Sequence, residues 1–104
     1  MVLTAVQKKE TMDLLCQKLF DQRLVRGIRQ IPTVHTFYEQ GKKKQNEEIL
    51  LLMEIKDSDY KKIEELIKEF TDFSIPEITL YKIKEGNLEY FQAIKKETEK
   101  IETM

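Results

Sequence analysis

Ile49 to Met53 reads Ile-Leu-Leu-Leu-Met, five apolar residues in succession. Neighbouring side chains of a β-strand point to opposite faces, so a run of this kind is buried on both. The spacing therefore predicts a central strand over Glu48–Lys56. Any fold for the chain must cover that strand from two sides.

The other elements follow from periodicity and punctuation. Val2–Val6 is short, apolar and β-branched, as a strand should be. Met12, Leu15, Cys16, Leu19, Phe20 and Leu24 recur at helical spacing, with Lys9, Asp13, Lys18 and Asp21 pointing away. Gly27 stands where a glycine cap would close that helix. Ile28–Tyr38 suits a strand, and Pro32 confines it to a sheet edge or a bulge because proline cannot donate to a ladder. Gln40 to Asn46 is polar and predicts a long hairpin tip. Ser58 is the expected N-cap of a second helix with an apolar stripe of Tyr60, Ile63, Leu66, Ile67 and Phe70. Glu77–Lys84 follows Pro76 as a fourth strand. Asn87 is the expected cap of a third helix, whose apolar positions are Leu88, Phe91, Ile94 and Ile101.

The order is βαββαβ plus a terminal helix, which predicts an α+β chain with the ferredoxin-like split βαβ arrangement. Its antiparallel sheet has the order 4-1-3-2, with the apolar strands central and the proline-bearing strand at an edge. Two helices cover one sheet face. A third covers part of the other, so a subunit interface is expected to cover the remainder.

Composition narrows the function. The chain has 104 residues, expected to form a single domain (1–104) exposing about 6,000 Å². Eighteen basic and nineteen acidic residues give a net charge of −1, so no basic excess marks nucleic acid as a partner. No apolar run approaches the roughly 18 residues of a membrane span, and no signal peptide is expected. The one cysteine, Cys16, cannot form an internal disulfide, which fits a reducing compartment.

Several local sequences, in order along nearly the whole chain, resemble the CutA divalent-cation-tolerance family. They are Leu24 to Pro32, Tyr38 with Gly41-Lys42, Glu48 to Lys56, Ile75-Pro76-Glu77-Ile78, and Glu85-Gly86-Asn87-Leu88-Glu89-Tyr90. The resemblance implies a ferredoxin-like fold, a homotrimer, a soluble location and a role in divalent metal tolerance, with a divalent metal as a possible ligand; together with the reducing compartment that the lone cysteine fits, the expected location is cytoplasmic. It also implies kinship in shape with PII-like trimers, which bind small ligands between subunits. The sequence departs from the family at several points. Gly27 replaces its second-strand cysteine and Arg29 its asparagine. Thr71-Asp72-Phe73 replaces a histidine-proline-tyrosine, and Glu39 a hairpin tryptophan.

The chemistry-bearing residues admit two readings each. Cys16 is a soft-metal ligand or, from its place in the helical stripe, a core residue. His35, the lone histidine, is a metal ligand if symmetry gathers copies of it, or a surface or interface residue of an edge strand. Ser58 and Ser74 read as cap and loop, and no nucleophile or phosphate-loop motif is present. Glu47-Glu48 and Glu64-Glu65 are adjacent and diverge, so they are poor acid–base pairs. No enzyme is predicted. Lys42-Lys43-Lys44 guards the hairpin against edge pairing or attracts an acidic partner. Lys56, Phe73, Glu77 and Tyr90 match family positions lining the inter-subunit cleft. They read as a small-ligand site or as a structural cluster joining the loop before strand four to helix three. Two functions remain: a non-enzymatic trimer associated with metal response, and a PII-like small-ligand sensor or trimeric adaptor.

Overall fold

The computed structural model describes residues 1–100. Along the chain it contains β1 (Val2–Val6), α1 (Lys9–Asp21), β2 (Val25–Glu39), β3 (Lys42–Ile55), a 3₁₀ turn (Asp57–Asp59), α2 (Tyr60–Phe70), β4 (Ile78–Leu80) and α3 (Leu88–Glu97). The four strands form one antiparallel sheet in the order β2-β3-β1-β4. This is the predicted order, with the apolar β3 inside and the proline-bearing β2 at an edge.

Parity along the strands divides the side chains between two faces. Val2, Leu51 and Met53 are fully buried beneath α1 and α2, which contribute Leu15, Cys16, Leu19, Ile63 and Ile67 to the same core. The register pairs Leu3 with Leu52 and Ala5 with Leu50, which places these four on the other face. There α3 packs across β2 and β3. Leu50 and Leu52 nevertheless remain partly exposed.

The sheet is far longer on one side. β1 pairs with only Ile49–Met53 of β3, whereas β2 pairs with β3 as far as Glu39↔Lys42. The outer part of the hairpin thus projects as a two-stranded ribbon, and the chain measures 52 × 32 × 21 Å. Its accessible surface is 7504 Å², above the value of about 6,000 Å² expected for a compact chain of this mass.

Several boundaries differ from the sequence expectation. The first helix ends at Asp21, well before Gly27. Arg23 takes the left-handed conformation (φ 53°), Arg23 N–H donates to Phe20 O, and Leu24 N–H donates to Leu19 O, both at 3.0 Å. This is a Schellman closure with arginine where glycine is usual, sealed by the buried pair Leu19 and Leu24. Gly27 lies in β2 beside a register shift, opposite Glu54.

The hairpin tip is two residues, Gln40 and Gly41, both at positive φ (52° and 75°). Such a turn matches strand twist. Lys42–Asn46, expected as loop, is strand because the β-branched and aromatic segment Val34–Tyr38 supplies its ladder. Lys44 also pairs with Glu39 across the hairpin at 2.7 Å.

Ser58 falls inside the 3₁₀ turn, and Asp59 precedes α2. The Asp59 carboxylate accepts from Lys100 Nζ at 2.9 Å. The fourth strand is only three residues long. Its ladder ends where Tyr81 N–H donates to Met1 O, and the chain then runs irregularly to α3. Asn87 does precede α3, although its side chain makes no capping hydrogen bond. Ile101 lies outside the described residues.

Candidate functional site

On the face away from α1 and α2, the projecting hairpin and the loop before β4 enclose an open cleft of about 600 Å³. His35, Phe37 and Glu48 enter from the hairpin, and Asp72, Phe73 and Glu77 from the loop. His35 and Phe37 share a face two residues apart, with ring centroids 4.7 Å from each other. His35 Nδ1 lies 3.3 Å from Glu48 Oε2, and Asn46 Nδ2 donates to the same oxygen at 3.4 Å.

The loop is held by its own polar groups. Asp72 accepts from the backbone N–H of Gln7 and of Lys8 at 3.0 and 2.9 Å. Lys8, the residue preceding α1, has no side-chain cap of its own, so Asp72 serves that helix start from 64 residues away. Thr4 Oγ1 donates to Glu77 O at 2.6 Å, and Thr71 Oγ1 accepts from Phe73 N–H at 3.1 Å. Phe73 and Glu77 are thereby fixed over the end of β1.

Tyr90 and Lys56 lie elsewhere. Tyr90 is on α3, facing β2 and β3 near Glu54, and Lys56 follows the last residue of β3, two residues beyond Glu54. Eight residues of strand separate Lys56 from Glu48, about 27 Å. Within one chain the four proposed cleft residues therefore fall into two groups, Phe73 with Glu77 and Lys56 with Tyr90. The loop before β4 packs against β1 and the hairpin at the end remote from Tyr90.

The Tyr90 group centres on a buried carboxylate. Glu54 is paired with Arg26 at 3.1 Å, and the Arg26 guanidinium also stands 5.8 Å from the Tyr90 ring centre. A side chain at residue 27 would occupy the space of the Glu54 carboxylate, so glycine there admits the buried charge. Burial, and then the Glu54 carboxylate, push the Tyr90 hydroxyl above its ordinary pKa, while Arg29 opposes them. The hydroxyl is buried without a hydrogen-bond partner among the described residues. The sequence pattern does not single out Glu48, Glu54, Arg26 or Asp72 as site-forming residues. The two glutamates carried a readable signal, because Glu48, Leu50, Leu52 and Glu54 share one parity in β3. Asp72 carried none, since its partners are distant in sequence.

A soft metal needs several thiolate or imidazole ligands together. Cys16 is buried on α1, and burial followed by the Asp13 charge raises its thiol pKa. His35 lies on the opposite side of the sheet. No three His, Cys, Asp or Glu side chains gather to hold a metal among the described residues. The donor set of one chain does not fit a soft-metal centre. Ser74 also lines the cleft, but no hydrogen bond joins it to His35 among the described residues.

Residues 1–97 match the CutA1 divalent ion tolerance protein family. The chain belongs to the CutA1 family. It is 29% identical over 98 residues to the divalent-cation tolerance protein CutA of Thermus thermophilus, covering 93% of this chain and 95% of that one. The crystal structure of CutA1 from Oryza sativa is 25% identical and superposes with a TM-score of 0.87 over 96% of this chain and 93% of that one. The periplasmic divalent cation tolerance protein CutA of Archaeoglobus fulgidus is 16% identical and shares the fold, with a TM-score of 0.88 over 94% and 96% of the two chains. No helix of this CutA1 chain is long and apolar enough to cross a membrane among the described residues.

Proposed function

We propose that this CutA1 chain acts as a non-enzymatic homotrimer associated with divalent metal tolerance in the cytoplasm, and that it works without a tight soft-metal site of its own. The assembly rests on one observation, the long outer edge of β2, which pairs with no second strand among the described residues and carries apolar side chains. Ile31, Val34 and Tyr38 are 42, 58 and 79% exposed along that edge. An unpaired strand of this length invites another chain. A second apolar patch, Ile75, Tyr81 and Ile83, flanks β4 at the opposite edge of the sheet. Two different patches at opposite edges favour a head-to-tail join, which closes into a ring where the rotation between neighbours allows it and otherwise runs on as a filament. The family resemblance supports closure into a ring of three. Ring closure would also bring the cleft beside Phe73 and Glu77 against a neighbouring subunit.

Substituting Ile31→Asp with Val34→Asp tests the join. The exposed positions leave the core intact, so the variant should run as a folded monomer. A variant that keeps the wild-type mass would contradict the join. For the metal, calorimetric titration of metal-free protein with Zn²⁺ should show no sub-micromolar site. A sub-micromolar site lost in His35→Ala would restore His35 as a ligand. The cleft's size and mixed lining favour a second reading, a PII-like sensor or adaptor with a small polar ligand between subunits. Saturable nucleotide or metabolite binding, weakened by Glu77→Gln, would support it.

A further inference from the structure

A second hollow, of about 410 Å³, opens between α3, the end of β3 and the irregular segment after β4. Its apolar lining comes from Ile55, Ile83, Phe91 and Ile94. Ile55 and Ile94 are core residues at 6 and 5% exposure, whereas Ile83 is 40% exposed. The wall is held close to Phe91. A Cβ on Gly86 would stand 2.6 Å from the Phe91 ring, so glycine lets the segment lie directly on it. Lys56 and Lys95 bring two ammonium groups to the lining, where the amino terminus of Met1 adds a third that donates to Tyr81 O at 2.7 Å, against the single carboxylate of Asp57. An apolar hollow of a few hundred cubic ångströms with a few polar groups has the character of a small-molecule site.

We infer that this hollow binds a small amphiphilic carboxylate, its hydrocarbon part among Ile55, Ile83, Phe91 and Ile94 and its carboxylate between Lys56 and Lys95. The charge selects the ligand class. The chain as a whole is slightly acidic, at net −1, yet the lysines here outnumber the carboxylate. An aliphatic amine would meet repulsion, and an uncharged chain would gain nothing from the ammonium groups. The volume suits a single short chain or an aromatic acid better than the flat contact of a folded partner. The site is separate from the Phe73 and Glu77 cleft and its lining comes from one chain, although Ile83 also belongs to the patch beside β4 that the proposed join uses.

The test is calorimetry of the full chain, at its measured oligomeric mass, with decanoate below its micelle concentration. One saturable site per chain is expected. Octanoate, two methylenes shorter, should bind about 16-fold more weakly. Decylammonium should not bind. Lys56→Glu combined with Lys95→Glu should weaken decanoate at least about ten-fold, the loss expected when two charge-assisted contacts are reversed. Lys95→Glu alone, at an exposed position outside the proposed join, gives an independent check should the double reversal fail to fold. Absence of saturation, equal binding of decylammonium, or an affinity unchanged by these substitutions would each overturn the assignment. The mass measured on the same sample separates such a failure from failure of the trimer.

Discussion

Leu51 has no exposed surface and faces α1 and α2 from the middle of the sheet. Leu51→Asp would bury an unpaired charge and should cost several kcal/mol, on the order of 3–5. Lys43→Asp, on the exposed hairpin, should change stability by less than about 0.5 kcal/mol. Urea titrations of the two variants check the contrast, and equal effects would mean that β3 is not central. Cys16 gives a pH prediction at the same scale. Its thiol is neutral in the core with a raised pKa, so the unfolded chain ionises first as pH rises. The stability contributed by the neutral thiol is whole below the ordinary value of 9.0 and is lost as pH climbs through it toward the raised folded value. Tyr60 and Tyr90, raised from 10.0, should add to the loss higher up. Cys16→Val should flatten the decline between about pH 8.5 and 10. An unchanged pH profile would show that the thiol is not desolvated.

Among the elements, α1 depends on a distant residue for its start and on arginine for its end. Asp72→Ala removes the acceptor for Gln7 and Lys8 N–H and should lower stability by about 1 kcal/mol. It should also speed amide exchange at Gln7 and Lys8 more than at the α1 C-terminus. Uniform exchange across α1 would rule out this capping role. Arg23→Gly relieves a positive φ and should stabilise by up to about 1 kcal/mol in thermal denaturation. These two ends show where sequence reading succeeds and fails. The stripe of Met12, Leu15, Cys16 and Leu19 announces the helix, because amphipathic spacing is a local pattern. Its closure at Arg23 is hidden, because glycine is the usual residue there and Gly27 drew the boundary toward itself. The hairpin tip was misread for a related reason: Lys42–Asn46 is polar in isolation and becomes strand only through its partner Val34–Tyr38.

For the whole molecule, the apolar run of β3 led directly to the sheet order and to the need for cover on both faces. The candidate site was less legible. Phe73 and Glu77 share a cleft, but Lys56 and Tyr90 stand at the other end of the sheet, and one-dimensional spacing carries no signal for that separation. The parity of β3 places Glu54 on one face with Leu50 and Leu52, but its burial depends on the missing side chain of Gly27 and on Arg26, which that parity does not reveal. The central claim is that the β2 edge and the patch beside β4 join neighbouring chains head to tail into a closed ring. Light scattering coupled to gel filtration, at low micromolar concentration, measures this most directly. The account predicts a single species of about three times the 12.4 kDa chain mass. A well-folded monomer, or a dimer made by pairing β2 with itself, would contradict it.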